Sequence, residues 1–321
     1  MEELGATVGV VECRICAEAA SRSLGDYRFC ERHYARALTQ RGSLWRTDVL
    51  SLLALVAFVG IVYALDAALS PTLTGNALLA VGAVVAVVPA VIWLVLFYRH
   101  DRLEPEPAGM VVELFVLGAI VAAAVGIPVV RDVFDVGAWI TQSTMTQVAG
   151  NILVVGLVPV ALIYLAVRLS VYRSKEFDEW TDGILYGTAA GLGYATILNI
   201  DFIVSSGGAD LGPATIRVAL TALVMGSVGG LVGYFLGHDR LEVHSAWYVP
   251  LGVVIAAVCN GIFWFLRTSV TGGFVSGIPT SWIGLGMAVL LAAAVTGFLA
   301  RAVRKEVDRE LRAAPAGGPT P

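Results

Sequence analysis

Charged residues are scarce in this sequence. Of its 321 residues, 14% are Asp, Glu, Lys or Arg, whereas 57% are hydrophobic. A soluble domain cannot cover that much apolar side chain with so little polar surface, so the composition excludes a soluble protein and indicates an integral membrane protein. The formal net charge of −4 is too small to indicate nucleic acid or another strongly charged partner. The lipid bilayer is the first partner that the sequence predicts.

Charged residues are few in eight apolar runs that are long enough to cross about 30 Å of hydrocarbon at about 1.5 Å per residue. The stretch 131–148 is too polar to cross and is expected at the membrane interface. The sequence thus predicts an all-α polytopic membrane protein with about eight transmembrane helices, at 49–69, 76–98, 108–130, 149–172, 183–204, 214–237, 245–266 and 281–300.

Glycine recurs in the fifth and sixth runs. In the sixth, Gly229, Gly233 and Gly237 are four residues apart, which lets a neighbouring backbone approach closely. In the fifth, the glycines leave two alternatives open, a continuous span or a broken or re-entrant helix buried among the others. These fifth-run glycines are Gly183, Gly187, Gly191 and Gly193.

Cations are almost absent from one side of the predicted membrane topology. Only Arg131, Arg217 and Arg267 fall there, and the other 18 of the 21 Lys and Arg residues fall on the opposite side. The positive-inside rule then predicts that both termini are cytoplasmic. The chain opens with the acidic stretch MEELG, so no signal peptide is expected. Asp201 and Arg217 lie near the outer ends of adjacent spans and are expected to pair.

Cysteine is also rare, and three of the four cysteines lie in the first 47 residues. "CRIC" and "CERH" place two close pairs of ligand residues, Cys13 with Cys16 and Cys30 with His33, in a pattern typical of tetrahedral zinc sites. Four protein ligands leave no open position, so a structural zinc is predicted. The alternative is a reduced thiol pair with an unrelated Cys and His.

Three domains follow from these patterns. Residues 1–47 form a cytoplasmic zinc-binding head with three cysteine ligands and one histidine ligand. This head is too short to bury a sizeable core and takes its folding energy from the metal. Residues 48–302 form the multi-helix membrane domain. Residues 303–321 form a cytoplasmic tail, which is expected to be disordered.

One motif carries a resemblance to a known family. "FDEWTDGILYGTAAGLGYATILN", residues 177–199, resembles the signature of the PrsW-type intramembrane protease family, in which a Phe-Asp-Glu…Asp-Gly…Tyr-Gly run leads into a glycine-rich helix. "YRHDRLEPEP" at 98–107 and "GYFLG" at 233–237 resemble further family segments. The likeness covers roughly residues 90 to 265 and implies an activity against membrane-anchored regulators such as anti-sigma factors.

The resemblance also implies membrane-embedded Glu and His residues that activate water or bind a catalytic metal. These residues are missing here: the fourth run, 149–172, holds no Asp, Glu or Lys, and all four histidines fall on the predicted cytoplasmic side. Such a site can bind but cannot take a proton from water, so neither catalysis nor a catalytic metal is expected. The family's catalytic positions align with Pro159, Val160, Ile163, Leu198, Met225 and Asn260.

Two polar features leave alternatives open. Asn199 and Asn260 could hydrogen-bond across the emptied site, or could simply tie helices together. "HDRLE" occurs at 100–104 and at 238–242, and with the acids that open the fifth run it could form a second, cytoplasmic metal cluster. The competing interpretation makes these acids caps of a helix N-terminus. The cluster would contain His100, Asp178, Glu179, Asp182 and His238.

The sequence thus favours an inactive intramembrane protease homologue that binds transmembrane helices of client or regulator proteins. One alternative is an active intramembrane metalloprotease that cleaves membrane-anchored regulators. A second is a small transporter or channel, which the lack of charged residues within most spans disfavours. The sequence does not name the client and leaves the oligomeric state open.

Overall fold

The computed structural model describes residues 12–13, 16, 18–24, 27–35, 44–69, 75–100, 107–206, 211–242, 244–269, 274–275 and 278–313. Within these residues, eight helical stretches are long and apolar enough to cross a membrane. The predicted class, an all-α integral membrane protein with eight spans, is confirmed.

The helices and strands follow one another in a simple order. The strands are β1 (Arg22–Leu24), β2 (Tyr27–Phe29), β3 (Phe274–Val275) and β4 (Ile278–Pro279). The α-helices are α1 (Leu44–Leu69), α2 (Gly75–His100), α3 (Ala108–Val121), α4 (Val136–Trp139), α5 (Thr144–Gly150), α6 (Leu157–Ser170), α7 (Trp180–Ser205), α8 (Leu211–Leu241), α9 (Tyr248–Ser269) and α10 (Thr280–Ala313). The chain also contains three π-helical segments. Ala122–Gly126 directly follows α3, Val129–Val133 precedes α4, and Asn151–Gly156 directly precedes α6.

The stretch 131–148, which the sequence places at the membrane interface, is mostly helical. The third apolar helical stretch continues to Trp139, and the fourth begins at Thr144. Between them, Ser143 starts α5 with a capping box: its hydroxyl accepts from the Thr146 N–H, and its own N–H donates to the Thr146 hydroxyl. Local hydrogen bonds of this kind satisfy the free N–H groups of a helix start.

Helix α7 runs without a break over 26 residues. This excludes the broken or re-entrant alternative for the fifth span. The shares of buried residues in the apolar windows of α7 and α8 are 67% and 83%, against 17% for the first span, 49–68. These two helices therefore form the centre of the membrane domain.

Glycine contacts explain how α7 and α8 pack. A Cβ atom on Gly187 would overlap the carbonyl oxygen of Gly229, and a Cβ on Gly183 would overlap that of Gly233. A Cβ on Gly191 would likewise overlap the Met225 carbonyl oxygen. The expected close backbone approach at the glycines spaced four apart is confirmed, and it occurs within the chain, between α7 and α8.

The chain divides into two compact units. One contains residues 1–44 together with 300–321, and the other contains residues 45–299. The C-terminal segment that was expected to be disordered from residue 303 is helical as far as Ala313, because α10 continues that far. Residues 314–321 lie outside the described residues.

Candidate functional site

The N-terminal head brings its two ligand pairs together with very little structure. Strands β1 and β2 form an antiparallel hairpin, and an isolated bridge joins Glu12 to Ala19. The N–H of Cys13 donates to the Glu18 carbonyl at 2.9 Å, which closes the turn that carries the first pair. The second pair starts where β2 ends, at Cys30, and continues into the helical turn at 31–35.

The four predicted ligands converge. Nδ1 of His33 lies 3.6 Å from Sγ of Cys13, 3.3 Å from Sγ of Cys16 and 3.2 Å from Sγ of Cys30. The sulfurs of Cys16 and Cys30 are 3.7 Å apart, and all four ligand atoms lie within 4.8 Å of one another. With Zn–S bonds of about 2.3 Å and Zn–N bonds of about 2.0 Å, a tetrahedral ion separates its ligand atoms by roughly 3.5–3.8 Å. The arrangement could therefore hold a metal ion.

Burial and neighbouring groups affect the ligand thiols of the head. Cys13, Cys30 and His33 are buried. A backbone hydrogen bond at His33 lowers the pKa of the Cys30 thiol, but burial and hydrogen bonds to acidic and thiol neighbours outweigh it and raise that pKa to about 11. A divalent cation would reverse this balance, because it stabilises thiolates. The donor set of three thiols and one imidazole fits zinc.

The positions that align with the family's catalytic residues are filled by packed apolar side chains. Val160, Ile163 and Met225 are fully buried at 0% exposure. They belong to one continuous hydrophobic core, and the half-buried Leu198 packs against it. Pro159 is buried on α6 beside them. No carboxylate or imidazole stands at any of these positions, so they offer no base.

The two buried asparagines tie helices together rather than meeting each other. The Asn260 amide on α9 donates to the carbonyls of Val155 and Gly156 at 3.3 Å each. These carbonyls belong to the π-helical segment Asn151–Gly156, whose backbone bonding departs from the regular α pattern. The Asn199 amide on α7 donates to the Val218 carbonyl on α8 at 3.2 Å. Of the two interpretations of these residues, the interhelical tie is the one that the contacts support.

The acids that open the family motif act as helix caps. The Glu179 N–H donates to the Asp182 carboxylate at 2.7 Å, and the Glu179 side chain accepts from the backbone in return, which forms a capping box at the start of α7. Asp182 is buried, and Asp178 is half-buried. Thr181 adds a hydrogen bond to Glu179 at 3.0 Å. Glu179 and Asp182 are thus the pair of acids that satisfies free N–H groups at the start of this apolar helix.

The second metal cluster gains no support from these positions. The His238 ring packs 4.9 Å from the ring of Trp180, and its Nδ1 lies 3.2 Å from the Tyr234 carbonyl. The His100 side chain lies outside the described residues. Where side chains are described, the only group of three or more His, Cys, Asp or Glu residues that could hold a metal is the one in the head.

Asp201 pairs differently from the expectation. Its carboxylate accepts from Arg131 at 3.1 and 3.3 Å, and not from Arg217. Arg217 instead lies over the Phe202 ring, 3.9 Å from its centroid. The expected Asp201–Arg217 pair is wrong because the third span extends past residue 130 and brings Arg131 beside α7.

Sequence reasoning also missed several polar contacts. Asp66 on α1 accepts from the Gly212 N–H at 3.1 Å, at the start of α8. Tyr172 donates to Asp239 at 2.7 Å. Glu113 is exposed on the outer face of α3, away from the core. The sequence did offer a signal for these two acids, because Asp66 is the lone acid in the first apolar run and Glu113 is the lone acid in the third.

Together, the eight apolar helices and the glycine-packed centre define a polytopic integral membrane protein. Residues 106–296 match the family described as "PrsW family intramembrane metalloprotease". The match covers more than half of the chain, and the chain belongs to this family. The zinc-ligand residues and the first two spans precede the matched region.

Curated relatives agree with this assignment. The chain is 27% identical over 206 residues to "Protease PrsW" of Bacillus subtilis (strain 168), covering 62% of this chain and 90% of that protein. It is 25% identical over 194 residues to "Protease PrsW" of Geobacillus kaustophilus, covering 60% and 82%. It is also 25% identical over 187 residues to "Protease PrsW" of Clostridioides difficile, covering 56% and 76%. No solved structure matches the chain.

The family description implies a catalytic metal, and the described part of the membrane domain does not fit one. Its buried polar residues in the α7–α9 region are chiefly amides and hydroxyls, such as Asn199, Asn260, Thr196 and Thr221. These are weak ligands for zinc, which prefers thiolate, imidazole and carboxylate. The buried Asp182 is already engaged in the α7 cap. We therefore derive no catalytic step through a metal.

Proposed function

We propose that this chain is a catalytically inactive member of the PrsW family that binds transmembrane helices of client or partner proteins without cutting them. The observation that carries the proposal is the replacement of the family's catalytic positions by packed Val160, Ile163 and Met225. Peptide hydrolysis needs a group that activates water, and none of these side chains can accept a proton.

The structure limits where a client can bind. The glycine faces of α7 and α8 are occupied by each other, so they are not open to a client helix. A substitution at Gly187 or Gly191 would therefore act on the fold itself and cannot serve as a specific probe of client capture. The proposal instead places the client on the lipid-facing surface of the bundle.

The proposal includes the head and the topology. The head is a structural zinc domain in the cytoplasm, with Cys13, Cys16, Cys30 and His33 as ligands. Residues 1–47, 48–302 and 303–321 serve as the head, the membrane domain and the cytoplasmic tail. Support comes from the convergence of the four ligand atoms within 4.8 Å of one another and from the predicted placement of 18 of the 21 cations on one side.

The rival function is an active intramembrane protease, which family membership favours. In that case the catalytic groups lie away from the aligned positions, for example at the cytoplasmic ends of the helices. The two functions differ in a single observable, because both bind a transmembrane helix and only the protease releases fragments.

The experiment places the purified protein in lipid nanodiscs with a panel of single-span proteins that carry a photo-crosslinker within the span. We expect crosslinks to a subset of the panel, with every crosslinked partner at its full length. An active family member serves as the positive control for both binding and cleavage. A panel that gives no crosslinks above those of an unrelated eight-span protein would contradict helix binding.

A further inference from the structure

Two arginines belong to spanning helices near one end of the membrane domain. Arg217 stands in the second turn of α8, and Arg267 stands two residues before the end of α9. Both side chains are partly buried. Charged residues within apolar spans are costly, and they are usually paired or line a site for a ligand.

Neither arginine is fully partnered. Nε of Arg217 and Nη1 of Arg267 are buried and have no hydrogen-bond partner. In the part of the chain that the structure describes, neither guanidinium forms a salt bridge. Asp201 is engaged by Arg131, and Asp66 accepts from a backbone N–H. Two carboxylates of this end of the bundle are thus committed to other donors.

The surroundings hold the two guanidinium groups in place. The Phe202 ring lies under Arg217, 3.9 Å from its Cζ. Arg267 crosses Gly284 of α10 so closely that a Cβ there would lie 2.7 Å from its Nε. The charge of Arg217 is repelled by Arg267 and attracted by the Asp201 carboxylate. The Phe202 ring and the missing side chain at Gly284 therefore position two guanidinium groups whose unpaired N–H groups can donate to an anion.

We propose that Arg217 and Arg267 form a binding site for a phosphate group between α8, α9 and α10. Guanidinium groups match phosphate oxygens with paired N–H donors, and this is why arginine is preferred for phosphate binding. The group can belong to the head of an anionic phospholipid or to free phosphate. Both arginines lie within two turns of a helix end, which is where lipid head groups meet a spanning helix. The site is independent of whether the chain cleaves peptides.

The test uses the full-length protein in nanodiscs of phosphatidylcholine. Phosphatidylglycerol is titrated in, and retained lipid is counted by native mass spectrometry. In a separate arm, inorganic phosphate is added and its effect on the melting temperature is measured. Retention of phosphatidylglycerol supports a lipid head group as the ligand, and stabilisation by inorganic phosphate alone supports free phosphate. A wild-type protein that responds to neither would overturn the proposal.

Variants then test whether the two arginines bind the anion. Arg217→Gln combined with Arg267→Gln should weaken anion binding by about tenfold, because two charge-assisted interactions are lost. Arg173→Gln is the control, since it removes an exposed cation that precedes the start of α7, away from Phe202 and Arg217 at the other end of that helix. Arg217→Lys with Arg267→Lys keeps the charge and provides a second comparison if the Gln variant does not fold. Equal anion binding by wild type, the Gln variant and the Lys variant would contradict the assignment.

Discussion

Gly187 and Gly229 face each other so closely that a Cβ atom on either residue would overlap the carbonyl oxygen of the other. The same relation holds between Gly183 and Gly233, one turn along. Small residues at this spacing let two helix backbones approach, which increases van der Waals contact where no hydrophobic driving force acts between helices in lipid. This contact makes α7 and α8 the closely packed centre of the membrane domain.

The first prediction concerns this contact. Gly187→Ala should destabilise the protein by about 1–3 kcal/mol, because α7 and α8 must move apart to fit one methyl group. Gly60→Ala on α1 is the control, since a Cβ there meets nothing within 4 Å. Thermal unfolding in detergent measures both. Equal melting temperatures for the two variants would show that the glycine contact does not hold the helices together.

The second prediction concerns the head. The full-length protein, made under reducing and zinc-replete conditions, should contain one zinc ion per chain. Cys30→Ser or His33→Ala should lose it, and Cys259→Ser should keep it because Cys259 lies in α9, outside the ligand cluster. Metal analysis by mass spectrometry measures the zinc content of the wild type and of the three variants. Zinc retained in Cys30→Ser would show that these residues are not the ligands.

Zinc binding should also release protons, because at neutral pH burial and its neighbours keep the Cys30 thiol protonated in the metal-free head, where its pKa is raised. The apparent zinc affinity is therefore expected to fall as the pH is lowered.

The third prediction concerns the partner of Asp201. A double-mutant cycle of Asp201→Asn with Arg131→Gln should give a favourable coupling that weakens as salt is added, since both side chains are partly exposed. The corresponding cycle with Arg217→Gln is expected to give a smaller coupling, because Arg217 makes no hydrogen bond to that carboxylate. A larger coupling to Arg217 would restore the pairing that the sequence predicted.

Much of the fold was readable from the sequence. The eight spans follow from length and hydropathy, which are local properties, and the glycine spacing in α8 predicted the close packing that the structure contains. The two Cys/His pairs predicted the converging ligands in the same way, since each pair is set by a short turn.

Other features depend on how helices lie beside one another, and the sequence does not encode that locally. The π-helical segment 151–156 and its tie to Asn260 need the register between two distant helices. The Asp201 partner was mistaken for the same reason, because Arg131 is 70 residues away and lay in a stretch assigned to the interface. The continuity of α7 was undecided because glycine is compatible both with a break and with close packing.

The fourth prediction concerns topology. Single cysteines introduced at Lys175 and at Thr141, with the native cysteines replaced by serine, should react with a membrane-impermeant reagent from opposite sides. Both positions are exposed and lie between candidate spans, so access depends on the side of the membrane. Thr141→Cys is expected to label in intact cells, and Lys175→Cys only after the membrane is opened. Labelling of Lys175→Cys in intact cells would invert the topology.

The measurement that tests the central claim most directly is cleavage in a reconstituted membrane. The protein, an active family member and a variant of that member without its catalytic residues are each incubated with single-span substrates, including anti-sigma-type anchors, and fragments are identified by mass spectrometry. We predict fragments from the active member only, because Val160, Met225 and Asn260 provide no group that takes a proton from water. The account would be contradicted if this protein also released substrate fragments. Loss of those fragments in Asp178→Asn, Glu179→Gln, His238→Ala or Glu113→Gln would then place an active site outside the packed core.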